Sequence, residues 1–223
     1  MLVLVVDSST PAVTAALAEV ADRGVAMRAR RRAVDAKAHG ELLAPAVAAV
    51  LAEAGAEPRD LDAIVAGVGP GPFTGLRVGL VTAASMGQTL DIPTYGVCSL
   101  DALGLAAGGG RVLAATDARR KEIYWAAYDG GARVTGPDVE TPAVVAERVA
   151  GLGVTAAVGE GAHRYAGVLG LPVLDEPRYP PAAALVELAA ERVLAKAPGE
   201  RLTPLYLRRP DAVAAAGRKP VLR

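Results

Sequence analysis

Cysteine is nearly missing from this chain, histidine is scarce, and neither sign of charge is in excess. Cys98 is the single cysteine among 223 residues, and His39 and His163 are the two histidines. One thiol cannot close an intrachain disulfide or build a cysteine-based zinc or iron–sulfur cage. A transition-metal site made of protein alone would have to complete its ligands with carboxylates. Lysine and arginine number 24, as do aspartate and glutamate, so the formal net charge is zero. Proteins that grip nucleic acid unaided draw much of their affinity from neutralised phosphates and carry a positive excess. Balance disfavours that role. Long hydrophobic runs are missing too. The longest, Leu42 to Ala52, holds 11 residues and a proline, against about 18 for a membrane span. The hydrophobic share of 52% reflects abundant alanine and valine. The first residues reach Asp7 with no basic segment or small-residue cleavage site, so no signal peptide is expected. The expected setting is a soluble protein of the cytoplasm, with no membrane partner.

At about 150 residues per domain, the length predicts one large α/β unit or two compact lobes. Residues 1–6 form an apolar, β-branched run, as expected of a strand buried on both faces. Two further strands, 13–20 and 25–32, flank a hairpin turn at Asp22-Arg23-Gly24. A helix follows over 38–54, ended by Gly55 and Pro58. Residues 62–68 read as another buried strand, and the Gly/Pro loop 69–73 leads to Thr74, the expected cap of a helix to Thr89. A strand over 94–98 precedes a short helix capped by Ser99. After Gly108-Gly109-Gly110 the pattern restarts. Strands are expected at 111–116 and 122–129, then a short third one, a helix from Thr141 to Val149, a strand at 156–159 and a helix over 181–196. The order β-β-β-α-β-α thus appears twice, with Asp7 and Asp117 each closing a first strand. The expected division is an amino-terminal lobe over 1–107, a smaller lobe over 108–180, and a helix and irregular tail over 181–223 packing back on them. The tail from Pro198 reads as irregular and mobile toward its end.

Several segments carry candidate chemistry. Asp7, Ser8, Ser9 and Thr10 lie at the carboxyl end of a buried strand, where open α/β sheets place ligands. They could hold magnesium through water or offer hydroxyls and amides to phosphate, or they could simply form an Asx-type turn. Asp117-Ala-Arg119-Arg-Lys121 holds the equivalent place, either as an anion-meeting turn or as a solvated hairpin. Residues 67–79, Gly-Val-Gly-Pro-Gly-Pro-Phe-Thr-Gly-Leu-Arg-Val-Gly, look like a phosphate loop but lack Gly-Lys-Ser/Thr. Pro70 and Pro72 also remove two amides that an anion nest would use. Gly75, Gly79, Ala83 and Gly87 recur every four residues and make one smooth helical stripe. It serves either tight internal packing or a helix-on-helix interface with a second protein, together with Ala44, Ala48 and Ala52. His39 has Leu43 at the i+4 position, so no helical histidine pair exists for a metal. Gly159 and Gly161 form a Gly-x-Gly turn after a strand and could approach a nucleotide. No catalytic residue is assigned.

Taken jointly, Val6-Asp-Ser-Ser-Thr10, His39-x-Glu-Leu-Leu-x-Pro45, the Gly67–Gly79 segment, Gly96-Val-Cys-Ser-Leu-Asp-Ala102, Asp117-Ala-Arg-Arg-Lys-Glu-Ile-Tyr-Trp125, Val158-Gly-Glu-Gly-Ala162 and Pro204-Leu-Tyr-Leu-Arg208 resemble the TsaB (YeaZ-like) family. These are bacterial tRNA threonylcarbamoyladenosine biosynthesis proteins formerly grouped with M22 glycoproteases. The resemblance implies the two-lobed actin/Hsp70/sugar-kinase-like (ASKHA) α/β fold and a non-catalytic scaffold subunit. Related TsaD proteins carry a His-x-x-x-His metal site and transfer threonylcarbamoyl to adenosine 37 of tRNAs reading ANN codons. Family members pair with TsaD through their first two helices and recruit the ATPase TsaE. The implied partner face is His39, Leu42, Leu43, Gly75, Arg77, Gly79, Ala83 and Gly87. Nucleotide or phosphate contacts would fall to Asp7, Ser8, Ser9, Thr10, Asp117, Arg119, Gly159 and Gly161. No intrinsic metal or cofactor is expected, with ATP or ADP at the subunit junction, tRNA met through the complex, and a homodimer when alone. Two other readings stand beside this one: a small-molecule kinase or ATPase using Asp7 and Asp117, and a metallopeptidase using His39. Ser9 occupies the place of the usual phosphate-loop glycine.

Overall fold

A computed structural model describes residues 1–208. The amino-terminal half is a five-stranded sheet in the order β3-β2-β1-β4-β5, and the carboxyl-terminal half a four-stranded sheet in the order β8-β7-β6-β9. The first sheet comprises β1 (Leu2–Asp7), β2 (Ala12–Ala21), β3 (Gly24–Val34), β4 (Ala63–Gly67) and β5 (Thr94–Val97). The second comprises β6 (Arg111–Asp117), β7 (Ile123–Asp129), β8 (Ala132–Glu140) and β9 (Ala156–Val158). β1 pairs antiparallel with β2 and parallel with β4, and β6 does the same with β7 and β9. The repeat read from element order is therefore a repeat of topology, an α/β fold of two mixed sheets.

Helices α1 (His39–Ala54) and α2 (Phe73–Leu90) lie side by side on one face of the first sheet. Leu43, Val47, Val50, Leu76, Leu80 and Ala83 bury there against Leu4, Val6, Leu17 and Ile64. β1 is apolar from Leu2 to Val6 because both faces are covered. The opposite face carries α7 (Ala182–Leu194), whose Leu185, Val186, Ala189 and Val193 pack on Val3, Val5 and Val65. The last helix among the described residues thus completes the first sheet. Conversely, α3 (Ser99–Ala106) sends Leu100 and Leu103 onto Val112, Ala114 and Tyr128 of the second sheet. Each half lends a helix to the other's core. α4 (Pro142–Ala150), α5 (Glu160–Arg164) and α6 (Ala166–Leu169) cover the remaining face of the second sheet around Leu113 and Trp125.

Four sequence expectations need correction. α2 starts one residue before Thr74, and Pro72 is its N-cap. Proline has no N–H to lose there, and its fixed φ suits helix entry. Ser99 is the first residue of α3 rather than its cap, because its hydroxyl is engaged by Asp7. The third strand of the second sheet runs nine residues rather than being short. The helices α5 and α6 are too brief for periodicity to reveal. From Pro198 to Arg208 the chain is an irregular strap across both halves. Leu202 packs on the first core, while Leu205 and Leu207 pack on the second. The expectation of mobility toward the end of the tail falls on residues 209–223, outside the described residues.

Candidate functional site

The turns after β1, β4 and β6 meet around a pocket of about 160 Å³ lined by Ser8, Thr10, His39, Phe73, Gly75 and Arg119, among others. Residues from four distant segments are therefore neighbours. The amino-terminal ends of α1 and α2 both border this pocket, where free backbone N–H groups and the helix dipole favour negative charge. Arg119 adds a guanidinium from the second half.

Asp7 does not face that pocket as a free ligand. It is 1% exposed. Its Oδ1 accepts from the Ser9 amide at 3.1 Å and the Ser9 hydroxyl at 2.9 Å. Its Oδ2 accepts from Ser99 Oγ at 2.7 Å. Burial raises its pKa, with the Ser99 and Ser9 hydrogen bonds pulling the other way. A side-chain carbon at Gly67 would overlap the carboxylate, so β4 needs glycine there.

Ser8 has a different task. Its hydroxyl donates to the Gly75 carbonyl at 2.8 Å and accepts from the Gly79 amide at 2.8 Å. Those are the two groups that an uninterrupted helix would pair with each other. The strand end therefore inserts a hydroxyl into the first turns of α2, and the bare Cα atoms of the helix let it approach. A Cβ at Gly79 would stand 2.5 Å from Ser8 Oγ, and one at Gly75 would stand 3.1 Å from the His39 ring. Ala83 is fully buried, and a Cβ at Gly87 would come within 2.5 Å of Thr94. The small stripe of α2 thus turns inward. Gly79, Ala83, Gly87 and Leu43, the last at 1% exposure, pack inside the chain, and Leu42 is half-buried against the same core. A period of four marks a face without saying whether it looks in or out.

The outward face is different. Gly40, Ala44, Ala48 and Ala52 of α1 are exposed, as are Thr74, Val81, Ala84, Ser85 and Gln88 of α2. Arg77 is exposed too, but its guanidinium lies 3.7 Å from the Phe73 ring centre and its Nε donates to Tyr206 Oη at 2.8 Å. Phe73 and Tyr206 stack at 5.1 Å. The strap is thereby pinned to the start of α2. His39 is buried, and its Nε2 lies 2.8 Å from the Thr10 carbonyl. A carbonyl can only accept, so that nitrogen carries the proton and donates.

Asp117 ends β6 among cations. Its Oδ2 lies 3.3 Å from Arg164 and 3.9 Å from Arg119, while its buried Oδ1 has no partner among the described residues. Arg119, Arg120 and Lys121 all adopt left-handed backbone, with φ of 64°, 54° and 64°, a strained run for residues with side chains. Arg208 holds the turn, donating to the Ala118 carbonyl at 2.9 Å and pairing with Glu122. Glu160 accepts from the Asp117 amide at 2.8 Å, and burial raises its pKa. Gly159 and Gly161 put their missing side chains against the backbone of Ala115 and Thr116. This lets the start of α5 cross the end of β6.

Burial pushes the Cys98 thiol up to about 11, so it stays protonated and a poor nucleophile at neutral pH. Among the described residues no group of three or more His, Cys, Asp or Glu could hold a metal. No described helix is long and apolar enough to cross a membrane.

Comparison with known proteins adds to this geometry. The sequence model of the family described as TsaD, tRNA N6-adenosine threonylcarbamoyltransferase, matches residues 33–198. An uncharacterized protein of Mycobacterium tuberculosis is 48% identical over 210 residues, covering 94% of this chain and 93% of that protein. A Mycobacterium leprae protein is 47% identical over 95% of this chain, which spans only 56% of that relative's length. The Escherichia coli tRNA threonylcarbamoyladenosine biosynthesis protein TsaB is 38% identical over 94 residues, 40% of this chain and 41% of that protein. The solved structure of YeaZ from Pseudomonas aeruginosa superposes with a TM-score of 0.76 at 30% identity, covering 92% of this chain and 99% of that one.

Proposed function

The chain belongs to the tRNA N6-adenosine threonylcarbamoyltransferase family, on its TsaB/YeaZ-like side, and from that premise we propose that it is a non-catalytic cytoplasmic subunit in threonylcarbamoyladenosine formation. Its task is to pair with and activate a TsaD-like catalytic subunit acting on adenosine 37 of tRNAs reading ANN codons. The observation that carries this reading is the outward face of α1 and α2. Gly40, Ala44, Ala48 and Ala52 run beside Thr74, Val81, Ala84, Ser85 and Gln88, all exposed and uncharged. Val81 is 62% exposed. Small and apolar side chains on adjacent helices let a partner helix approach closely and bury area. The occupied state of the polar groups supports the non-catalytic part. Asp7 spends its carboxylate on Ser9 and Ser99, and His39 spends its N–H on Thr10.

The same face serves a homodimer when the partner is lacking, and a TsaE-like ATPase joins the assembled pair. ATP or ADP at the junction would find room here for one phosphate only. The pocket of about 160 Å³ is well below the roughly 300 Å³ at which ligand pockets begin. Most contacts to the nucleotide would then come from the partner.

Gel filtration of the chain mixed with a TsaD-like protein tests the pairing. The double variant Ala48→Glu/Val81→Glu should abolish co-elution while leaving the melting temperature of the isolated chain unchanged. Undiminished co-elution of that folded variant would remove this face from the proposal.

A further inference from the structure

The first sheet ends in β3, whose residues 28–32 read Arg-Ala-Arg-Arg-Arg. Between Arg23 and Lys37 there are six cations and one acid, Asp35, in a chain whose overall charge is zero. Charge is balanced globally and segregated locally.

The strand divides its arginines between two faces. The register shifts beside Arg28, between the pairs Leu17–Ala29 and Ala18–Met27. Beyond that shift Ala29 packs in the core under α1, which places Arg31 on the same side. Arg31 pairs there with Glu53, and Arg28 pairs with Glu19 at 2.9 Å. Arg30 and Arg32 alternate onto the opposite face. No carboxylate among the described residues forms an ion pair with either, and Arg32 lies 5.7 Å over the ring of Tyr179. Arg178, beside that ring in sequence, is exposed and its side chain likewise has no ion pair among the described residues. Along a strand, Arg30 and Arg32 stand roughly 6.6 Å apart. β3 is also an edge strand, so its outer backbone N–H groups remain available as donors.

We infer that Arg30, Arg32 and Arg178, with Tyr179 at the end of the row, form a surface for the phosphate backbone of RNA. Guanidiniums spaced along an extended strand can each take one phosphate, edge amides add neutral donors, and an aromatic ring at the end offers a stacking platform. A protein partner would be expected to bury an apolar centre, which a row of unpaired guanidiniums does not supply. Identifying that RNA as tRNA rests on the role proposed above; the basic row does not. Two or three phosphates give a weak, salt-sensitive contact, which suits a subunit that assists a partner in holding the substrate.

The test uses the full chain and a fluorescein-labelled tRNA transcript, with binding followed by anisotropy between 50 and 200 mM salt. Wild type should bind at the low end and release as salt rises. Arg30→Glu/Arg32→Glu should bind at least tenfold more weakly, with a log–log salt slope smaller by about two. Arg59→Glu, a remote exposed arginine, should behave as wild type. The milder Arg30→Gln/Arg32→Gln, checked for an unchanged melting temperature, keeps the test open if charge reversal impairs folding. Unchanged binding by the folded double variant would overturn the proposal. So would poly-glutamate competing as well as unlabelled tRNA, since the row would then serve an acidic protein. Pairing with a TsaD-like subunit is read separately by gel filtration. A chain that pairs but ignores RNA removes the row, and one that binds RNA but does not pair removes the subunit reading.

Discussion

Asp7 and Asp117 close the first strands of the two sheets at matching positions, each the last residue paired to the next strand, yet their surroundings are opposite in kind. Asp7 is held by short hydroxyl and amide donors from Ser9 and Ser99, supplied by its own turn and by the start of α3. Asp117 is held at longer range by guanidiniums of Arg164 and Arg119, whose side chains are 58% and 51% exposed. One of its oxygens is buried without a partner among the described residues. The first turn is a packing node, and the second is an electrostatic arrangement at the rim of the cleft. Topological duplication has therefore not preserved chemistry. The half that carries α1 and α2 has fixed its strand end rigidly beneath the outward helical face. The other half keeps a strained basic turn, braced by the strap through Arg208.

The largest expected effect breaks the first node outright. Gly79→Leu would drive a branched side chain into Ser8 Oγ, where even one carbon would sit 2.5 Å away. Overpacking of this kind costs about 3 kcal/mol or more, since strand and helix cannot both shift. Urea denaturation should show the chain destabilised by that amount or unfolded. A Gly79→Leu protein as stable as wild type would mean that α2 does not rest on β1 as described.

Next in size is the paired truncation of the two carboxylates. Asp7→Ala strips the Ser9 and Ser99 hydroxyls of their acceptor in a buried place, at roughly 2 kcal/mol. Asp117→Ala removes ion pairs to two half-exposed guanidiniums and relieves a buried oxygen with no partner among the described residues, and should change stability by about 1 kcal/mol or less. Equal losses from chemical denaturation of the two variants would erase the distinction between node and rim.

Much of this architecture was legible in sequence because its signals are local. The continuous apolarity of residues 2–6, the Asp22-Arg23-Gly24 turn, and Gly55 after Ala54 each state their structure within a few residues. What escaped is set by contacts between distant segments. Nothing near Ser8 announces that its hydroxyl will enter the hydrogen-bond ladder of α2, so the glycines at 75 and 79 looked equally suited to an external partner. The exchange of α3 and α7 between sheets likewise has no local mark, since an amphipathic helix does not say which sheet it covers. The arginines of β3 were visible as letters. Their division into paired and unpaired faces was hidden by the irregularity at Arg28, which resets the alternation that a strand would otherwise keep.

The smallest effect is a pH dependence that belongs to the first node. Burial raises the Asp7 pKa above its ordinary 3.8. Between that value and the raised one, the folded chain holds a proton that the unfolded chain has released. Stability then falls as pH rises, because the derivative follows protons bound unfolded minus protons bound folded. The contribution is fully present below the ordinary value and is lost as pH climbs through the folded one. Asp7→Asn cannot titrate there, so its stability should decline less steeply as pH climbs above the ordinary carboxylate range. The comparison is one of slopes, since the substitution also changes the level through the Ser99 hydrogen bond. Glu160, raised by burial in the second half, is left intact and sets the residual slope. Parallel curves for wild type and Asp7→Asn in a urea series would show that Asp7 exchanges its proton alike in both states, and the sealed character of the first turn would be lost with it.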